Sequence, residues 1–342
     1  MIRTKITRTL TLTGLVTVGK LSHSYRSLLP VLALCLATAA WSQTRLGLKG
    51  PHRAGTIRGV IPSTQPAEDA PASARYRFIT IGAPASGNTQ AAGINNARLV
   101  TGFYEDASSN HHGFVWQAGT LQTVDYPGAV YTLLLAVNNQ GVAISFYGDA
   151  DNTEHAVMYS VPGGTWTALP DIPGYSENEG YGINDAGFAV GNAYQGNASV
   201  AWIWNPNTLS YSFFAVPGAA QYGTQPNAIN DKGQVAGYFY DASGVEHSFL
   251  EEASTYTTID APGGIGTGAF GINNSGTIVG QWFDAAGASQ GFVLTSGGLF
   301  TTVDYPGPEL TGLDNINDRG DISGTLWQNP SGAEVAIIGL RP

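Results

Sequence analysis

Four aspartates recur at one place in a repeating pattern. Asp125, Asp171, Asp260 and Asp304 each stand two residues before a proline. A second set, Asp106, Asp149, Asp241 and Asp284, falls in the turns between neighbouring apolar runs. Tyr104, Tyr126, Tyr147, Trp282, Tyr305 and Trp327 lie at or beside these acids. Carboxylate oxygens suit a hard cation such as Ca²⁺, and aromatic faces suit sugars or methylated cations. Asp125, Tyr126, Asp171, Asp260, Asp304 and Tyr305 are therefore the candidate ligand-facing residues. The competing reading is that each Asp caps its turn while the aromatics wedge between structural units. The stretch DADNTE, residues 149–154, alternates oxygen donors but lacks the glycine and spacing of an EF-hand loop.

Histidine offers less. His112, His155 and His247 occupy one repeat position, so they are too far apart to share a metal whose ligands must stand about 2 Å from it. They read as strand-entry residues bonded to local backbone, and His111–His112 is a weak metal candidate. There is no G-x-S-x-G elbow, no H-E-x-x-H and no phosphate-cradling loop. No catalytic residue and no metal site is assigned, and no cofactor beyond the Ca²⁺ that the carboxylates admit.

The elements that must position these residues come from an internal repeat. An apolar-Asn pair occurs at Ile94-Asn95, Val137-Asn138, Ile183-Asn184, Ile229-Asn230, Ile272-Asn273 and Ile316-Asn317, at spacings of 43, 46, 46, 43 and 44. Three residues after the Asn stands a glycine, except for Arg98 in the first copy. Seven residues after it stands another, except for Ser145 in the second. Each unit also holds a proline, from Pro84 to Pro306. In the fifth copy AFGIN, TIVGQWF, QGFVLT and LFTTVDYP read as four short strands joined by NSG, DAAGAS and SGG, all turn chemistry. Asn then Asn or Asp, any residue, then Gly suits a type I turn closed by a left-handed residue, with the Asn side chain capping it. Arg98 would adopt that conformation at a cost of about 1 kcal/mol, or its turn differs. Pro-Gly fits the centre of a type II turn.

Four strands in about 44 residues is the size of a propeller blade. One such sheet cannot bury both faces, but stacking in a ring does so. The expected fold is all-β, a six-bladed β-propeller of four-stranded antiparallel blades. The last copy stops at its third strand, EVAIIGL, and the repeat region opens with YRFITI, residues 76–81. This N-terminal strand is expected to complete the final blade against residues 335–340, burying Phe78, Ile79 and Ile81.

Residues 1–42 carry Arg3, Lys5, Arg8, Lys20 and Arg26 without an acid, then LLPVLALCLATAAWS. That describes a secretory signal peptide. Leu34 before Cys35, where a small residue is wanted, argues against a lipoprotein signal. Cleavage removes the single cysteine and lowers Lys+Arg from 15 to 10 against 25 Asp+Glu, a net of about −15. Such a surface repels nucleic acid and anionic lipid, leaving cations, neutral glycans and basic proteins as permitted partners. Residues 43–75, rich in Pro, Ala, Ser and Gly, read as a flexible linker to a body spanning 76–342.

His112-Gly113-Phe114, His155-Ala156-Val157 and His247-Ser248-Phe249, with a looser Gln290-Gly291-Phe292, resemble the signature of the HAF-repeat family of bacterial extracellular proteins. Asp125-Tyr126-Pro127-Gly128 and Asp304-Tyr305-Pro306-Gly307 match the family's pattern too, over nearly all of residues 76–340. Copies three and six lack the histidine, with Val200 and Glu334 near its place. The resemblance implies a secreted repeat protein and supplies no activity. The expected function is a secreted, non-catalytic binding scaffold with an unknown glycan, cation or protein ligand and no transmembrane helix in the mature chain. The alternatives are a glycan-acting hydrolase or lyase with a carboxylate pair at the axial mouth, and a structural envelope protein.

Overall fold

Turn chemistry and closure together decide the architecture. The computed structural model describes residues 56–58 (backbone only), 75–82, 87–307, 309–328 and 331–342. The expected signal peptide lies outside them. The described residues hold six sheets whose strands pair antiparallel and in chain order from the innermost outward, save the outermost strand of blade 6 and a parallel strand added to blade 4. In blade 1 these are Thr89–Ile94, Val100–Glu105, His111–Gln117 and Thr120–Thr123. The inner strands of blades 2 to 6 are Tyr131–Val137, Glu177–Ile183, Ala219–Ile229, Gly266–Ile272 and Leu310–Ile316. Each inner strand touches the next, and the sixth touches the first, so the ring is closed. The protein is a six-bladed β-propeller.

Blade 6 is closed as expected. Arg77–Ile81 runs antiparallel to Ala333–Leu340, with Arg77 opposite Leu340 and Ile81 opposite Ala336. Only Ile81 of the three expected core residues is buried; Phe78 and Ile79 are half-buried, because an outermost strand keeps one face toward solvent. A second departure concerns the linker. Thr56–Arg58 adds a fifth, parallel strand to the outer strand of blade 4, Thr255–Ile259. An outermost strand presents unpaired backbone groups, and this segment satisfies some of them.

Apolar clusters fill the blade-to-blade contacts. Ile144 and Ala156 of blade 2 meet Ile183 and Trp202 of blade 3, and Ile81, Ala336 and Ile338 of blade 6 meet Ala91 and Val100 of blade 1. The third-strand residues Phe114, Val157, Trp202, Phe249, Phe292 and Ala336 are fully buried. They explain the second glycine of the repeat. A Cβ on Gly191 would lie 2.0 Å from the Glu179 carbonyl oxygen and 2.3 Å from the Trp202 ring, and Gly237 meets the same obstruction. At the exceptional position Ser145 bonds that carbonyl instead, its Oγ donating to Leu133 at 2.7 Å. Beside this position every inner strand carries a β-bulge, as between Gly180 and Gly182.

The repeated asparagine does more than turn the chain. In each copy Oδ1 accepts two backbone amides of its own turn, as Asn184 does from Ala186 at 3.1 Å and Phe188 at 3.0 Å. The side-chain amide then donates to the backbone carbonyl of the next asparagine: Asn95 to Asn138, Asn138 to Asn184, Asn184 to Asn230, Asn230 to Asn273, Asn273 to Asn317, and Asn317 back to Asn95, all at 2.9–3.0 Å. A second circle runs beside it, in which each following backbone amide donates to the next Asx Oδ1, from Asn96 through Asn139, Asp185, Asp231, Asn274 and Asp318 and back. These circles surround a cavity of about 60 Å³ on the axis, room for a few waters.

Arg98 adopts the same turn as its glycine counterparts, at φ 58°, with its amide bonded to the Asn95 carbonyl at 2.9 Å. Its guanidinium reaches the fully buried Asp321 of blade 6 through two bonds, at 2.9 and 3.2 Å. Asp321 also accepts the backbone amide of Arg341 and the side-chain amide of Asn317. Burial alone would raise its pKa, but these partners, Arg98 foremost, leave it lowered. The strained residue thus secures the contact where blade 6 meets blade 1.

Candidate functional site

The asparagine turns join first to second strands and occupy one face of the ring. The opposite face carries the loops from second to third strand and from each outer strand to the next blade. All the sequence-derived ligand candidates lie on this second face, the histidine face.

Asp106, Asp149, Asp241 and Asp284 repeat the logic of the asparagines. One oxygen of each closes its own turn, as Asp241 Oδ1 does by accepting the amides of Ser243 and Val245. These backbone amides lower the pKa of Asp106, Asp149 and Asp241. The other oxygen of the first three faces a histidine. His112 Nε2 stands 3.4 Å from Asp106 and its Nδ1 stands 2.8 Å from Asp125. His155 lies 3.2 Å from Asp149 and 3.9 Å from Asp171. His247 lies 3.5 Å from Asp241 and 2.7 Å from Asp260. Each ring also stacks on an aromatic of the second strand, Tyr104, Tyr147 or Phe239, at 5.2–5.3 Å. Burial pulls His112 down, yet Asp125 and Asp106 outweigh it and leave its pKa raised. In blade 5 Gln290 takes the histidine's place on Asp284, and Asp304 accepts the Gly291 amide.

Asp125, Asp171, Asp260 and Asp304 therefore follow outermost strands and pair around the third strand. They do not ring the axis, because the chain has not yet crossed back to the centre where they occur. Nor do they cap the Pro-Gly turns. In four of the inter-blade loops a backbone amide beside the Pro-Gly turn is tied by a threonine of the following inner strand, Thr132, Thr224, Thr267 or Thr311. The two tyrosine candidates wedge between blades. Tyr126 stacks on Tyr147 of blade 2 at 3.8 Å and meets Trp166 edge-on. Tyr305 packs edge-on against Phe78 of blade 6. Burial and the Tyr126 hydroxyl push Tyr147 up to about 12.

Nearer the axis on this face stand carboxylates that the spacing did not single out. Glu179 of the third inner strand is buried against Glu154 of blade 2 and accepts a bond from Tyr181, whose hydroxyl also meets Tyr194 at 3.0 Å. Tyr131 donates to Glu154 at 2.6 Å. Burial, then the charge and hydrogen bond of Glu154, hold the Glu179 pKa well above the usual carboxylate range. Across the ring Asp314, bonded by Thr325 at 3.1 Å, is pushed by burial up to about 7. The available signal was the Glu-His pair at Glu154-His155 and Glu246-His247. Strand alternation turns the glutamate to the opposite side from its histidine. Among the described residues no group of three or more His, Cys, Asp or Glu side chains is placed to hold a metal ion.

The fold and this face define the class, a β-propeller with repeated polar loop elements. Solved structures of similar shape include TolB from Acinetobacter baumannii, with TM-score 0.52 and 8% identity over 75% of this chain and 64% of that one. The putative TolB from Agrobacterium tumefaciens gives 0.52 and 11%, over 75% and 92%. The SapL1 lectin in complex with alpha methyl fucoside gives 0.50 and 13%, over 75% and 94%. At these identities the likeness is one of fold, and the chain spans less than two thirds of the A. baumannii protein. No protein-family profile matches the chain, and no curated protein matches it. Among the described residues no helix is long and apolar enough to cross a membrane.

Proposed function

We propose that this chain is a secreted, non-catalytic propeller of the HAF-repeat kind that holds a ligand or protein partner on its histidine face. One observation carries the reading: the same Asp-His-Asp element, stacked on an aromatic ring, is built three times on separate blades, partly open to solvent. Repeated like elements on a rigid ring suit multivalent recognition. Catalysis asks for two groups in unlike environments at one place. A propeller of similar shape is a lectin solved with alpha methyl fucoside, which is consistent with a binding role for such a ring. The inward carboxylates of the histidine face weaken the hydrolase alternative. Glu154 and Glu179 are buried against each other, whereas a glycosidase holds its carboxylates about 5–10 Å apart around the scissile bond.

The test is a thermal-shift screen of the full chain against Ca²⁺, neutral glycans and basic polypeptides, with a reducing-sugar assay in parallel. A rise in melting temperature with at least one class is expected. No rise with any class overturns the binding reading. Sugar release that disappears in Glu179→Gln overturns the non-catalytic one.

A further inference from the structure

The charges of this propeller are sorted by face. The described basic side chains, Arg75, Arg77, Arg98, Lys232, Arg319 and Arg341, all belong to the asparagine face: three sit in its turns, and the others flank the paired ends of the closing strand. The histidine face carries the eight turn aspartates, and none of the basic side chains just named lies on it; of Arg58, on the strand added to blade 4, only the backbone is described. Most exposed large apolar residues lie on this acidic face. Around blade 4 these are Tyr222 at 38%, Tyr240 at 39%, Val245 at 40% and Ile265 at 57% exposure.

Three of them gather around Glu246: Tyr240 is its partner across the hairpin, Val245 precedes it, and a Cβ on Gly266, the residue after Ile265, would touch it. Tyr222 stands toward blade 3. Tyr240 donates to Glu246 at 2.9 Å, which places a carboxylate within the patch. Tyr222 holds a left-handed φ of 65°, costly for a bulky side chain. Ser199 of blade 3 fixes that loop by donating to the Tyr222 carbonyl at 3.0 Å. Asp241 and Asp260, beside the patch, are each engaged by His247.

We propose that the apolar patch of blade 4 is a docking surface for a basic, amphipathic polypeptide segment, its apolar side chains seated on Tyr240, Val245 and Ile265 and its Lys or Arg side chains among the surrounding carboxylates. This rests on the binding reading above and names the partner's chemistry. Charge complementarity selects it: a face on which eight turn aspartates outnumber three histidines, with no described Lys or Arg side chain, attracts a cationic segment and repels a second copy of itself. The exposed aromatic and branched side chains supply the anchors that a purely electrostatic contact lacks.

The experiment measures binding of the full chain to three labelled peptides by fluorescence anisotropy: alternating Lys-Leu with one Trp, oligolysine of equal charge, and the Glu-Leu counterpart. The Lys-Leu peptide should bind at least tenfold more tightly than oligolysine, with affinity falling as salt rises, and the Glu-Leu peptide should not bind. The double variant Val245→Ser/Ile265→Ser should lose tenfold or more. Leu209→Ser, which alters a residue 70% exposed on the opposite face, should lose nothing. Both variants change exposed side chains, and unaltered melting curves verify their folding. Equal binding of oligolysine, undiminished binding by the double variant, or a self-association that the double variant dissolves overturns the proposal. A ligand from the thermal-shift screen that binds the double variant normally would leave the wider binding reading standing.

Discussion

The two faces of this propeller use one turn grammar to opposite ends. On the asparagine face all six copies keep the residue, and each side chain both caps its own turn and grips the next blade. On the histidine face Asp106, Asp149, Asp241 and Asp284 cap their turns the same way, but their second oxygen turns inward to a His or Gln of the same blade. Blades 3 and 6 drop the pattern. One face is a continuous circular joint; the other is a set of separate elements free to differ. The contrast teaches that a ring can assign cohesion to one side and variation to the other.

The comparison can be broken most severely at the seam. Deleting residues 76–82 leaves the third strand of blade 6 without its outer partner, and the melting temperature followed by circular dichroism should fall by more than about 10 °C. An unchanged curve would reject closure by this strand. Next comes the asparagine circle. Asn184→Ala removes two caps and one inter-blade bond from a buried site and should cost about 3 kcal/mol by urea denaturation. Asp284→Ala on the other face should cost about 1 kcal/mol. Equal costs would erase the distinction between the faces.

Arg98 sharpens the point. Arg98→Ala gives up the Asp321 pair and keeps a left-handed Cβ residue, whereas Arg98→Gly gives up the pair and relieves the backbone. The alanine variant should be less stable than the glycine variant by about 1 kcal/mol. The smallest effect belongs to a histidine element. The folded-state pKa of His112 is raised, so its stabilisation is fully present below the ordinary histidine pKa and is lost as pH rises through the raised value. His112→Gln should flatten the stability-pH profile in that window by under about 1 kcal/mol. A profile identical to the wild type would show that the two aspartates do not clamp a charged ring.

Much of the fold was legible in the chain because its determinants are local. Asn, Gly and Pro at fixed offsets specify turns, and the missing fourth strand after EVAIIGL points to Arg77–Ile81. The inter-blade half of each asparagine's role was not legible, since its acceptor is a carbonyl about 44 residues away that only the assembled ring brings near. Asp241-Ala-Ser-Gly and Asp284-Ala-Ala-Gly repeat the Asn-x-x-Gly grammar, so their capping role could have been read directly. Tyr126 and Tyr305 were placed beside the right turns, but spacing alone could not distinguish a ligand platform from a wedge. The Glu154–Glu179 contact joins two blades, and only its Glu154 half is flagged by the repeated Glu-His pair.

Because Arg77 and Leu340 sit opposite one another inside a shared sheet, no blade is privileged as the first. The backbone could be cut in an exposed third-to-fourth-strand turn such as Ser296–Gly297 and spliced across the old seam. The same ring would then be threaded from a different starting point, with blade 5 becoming the one assembled from both ends.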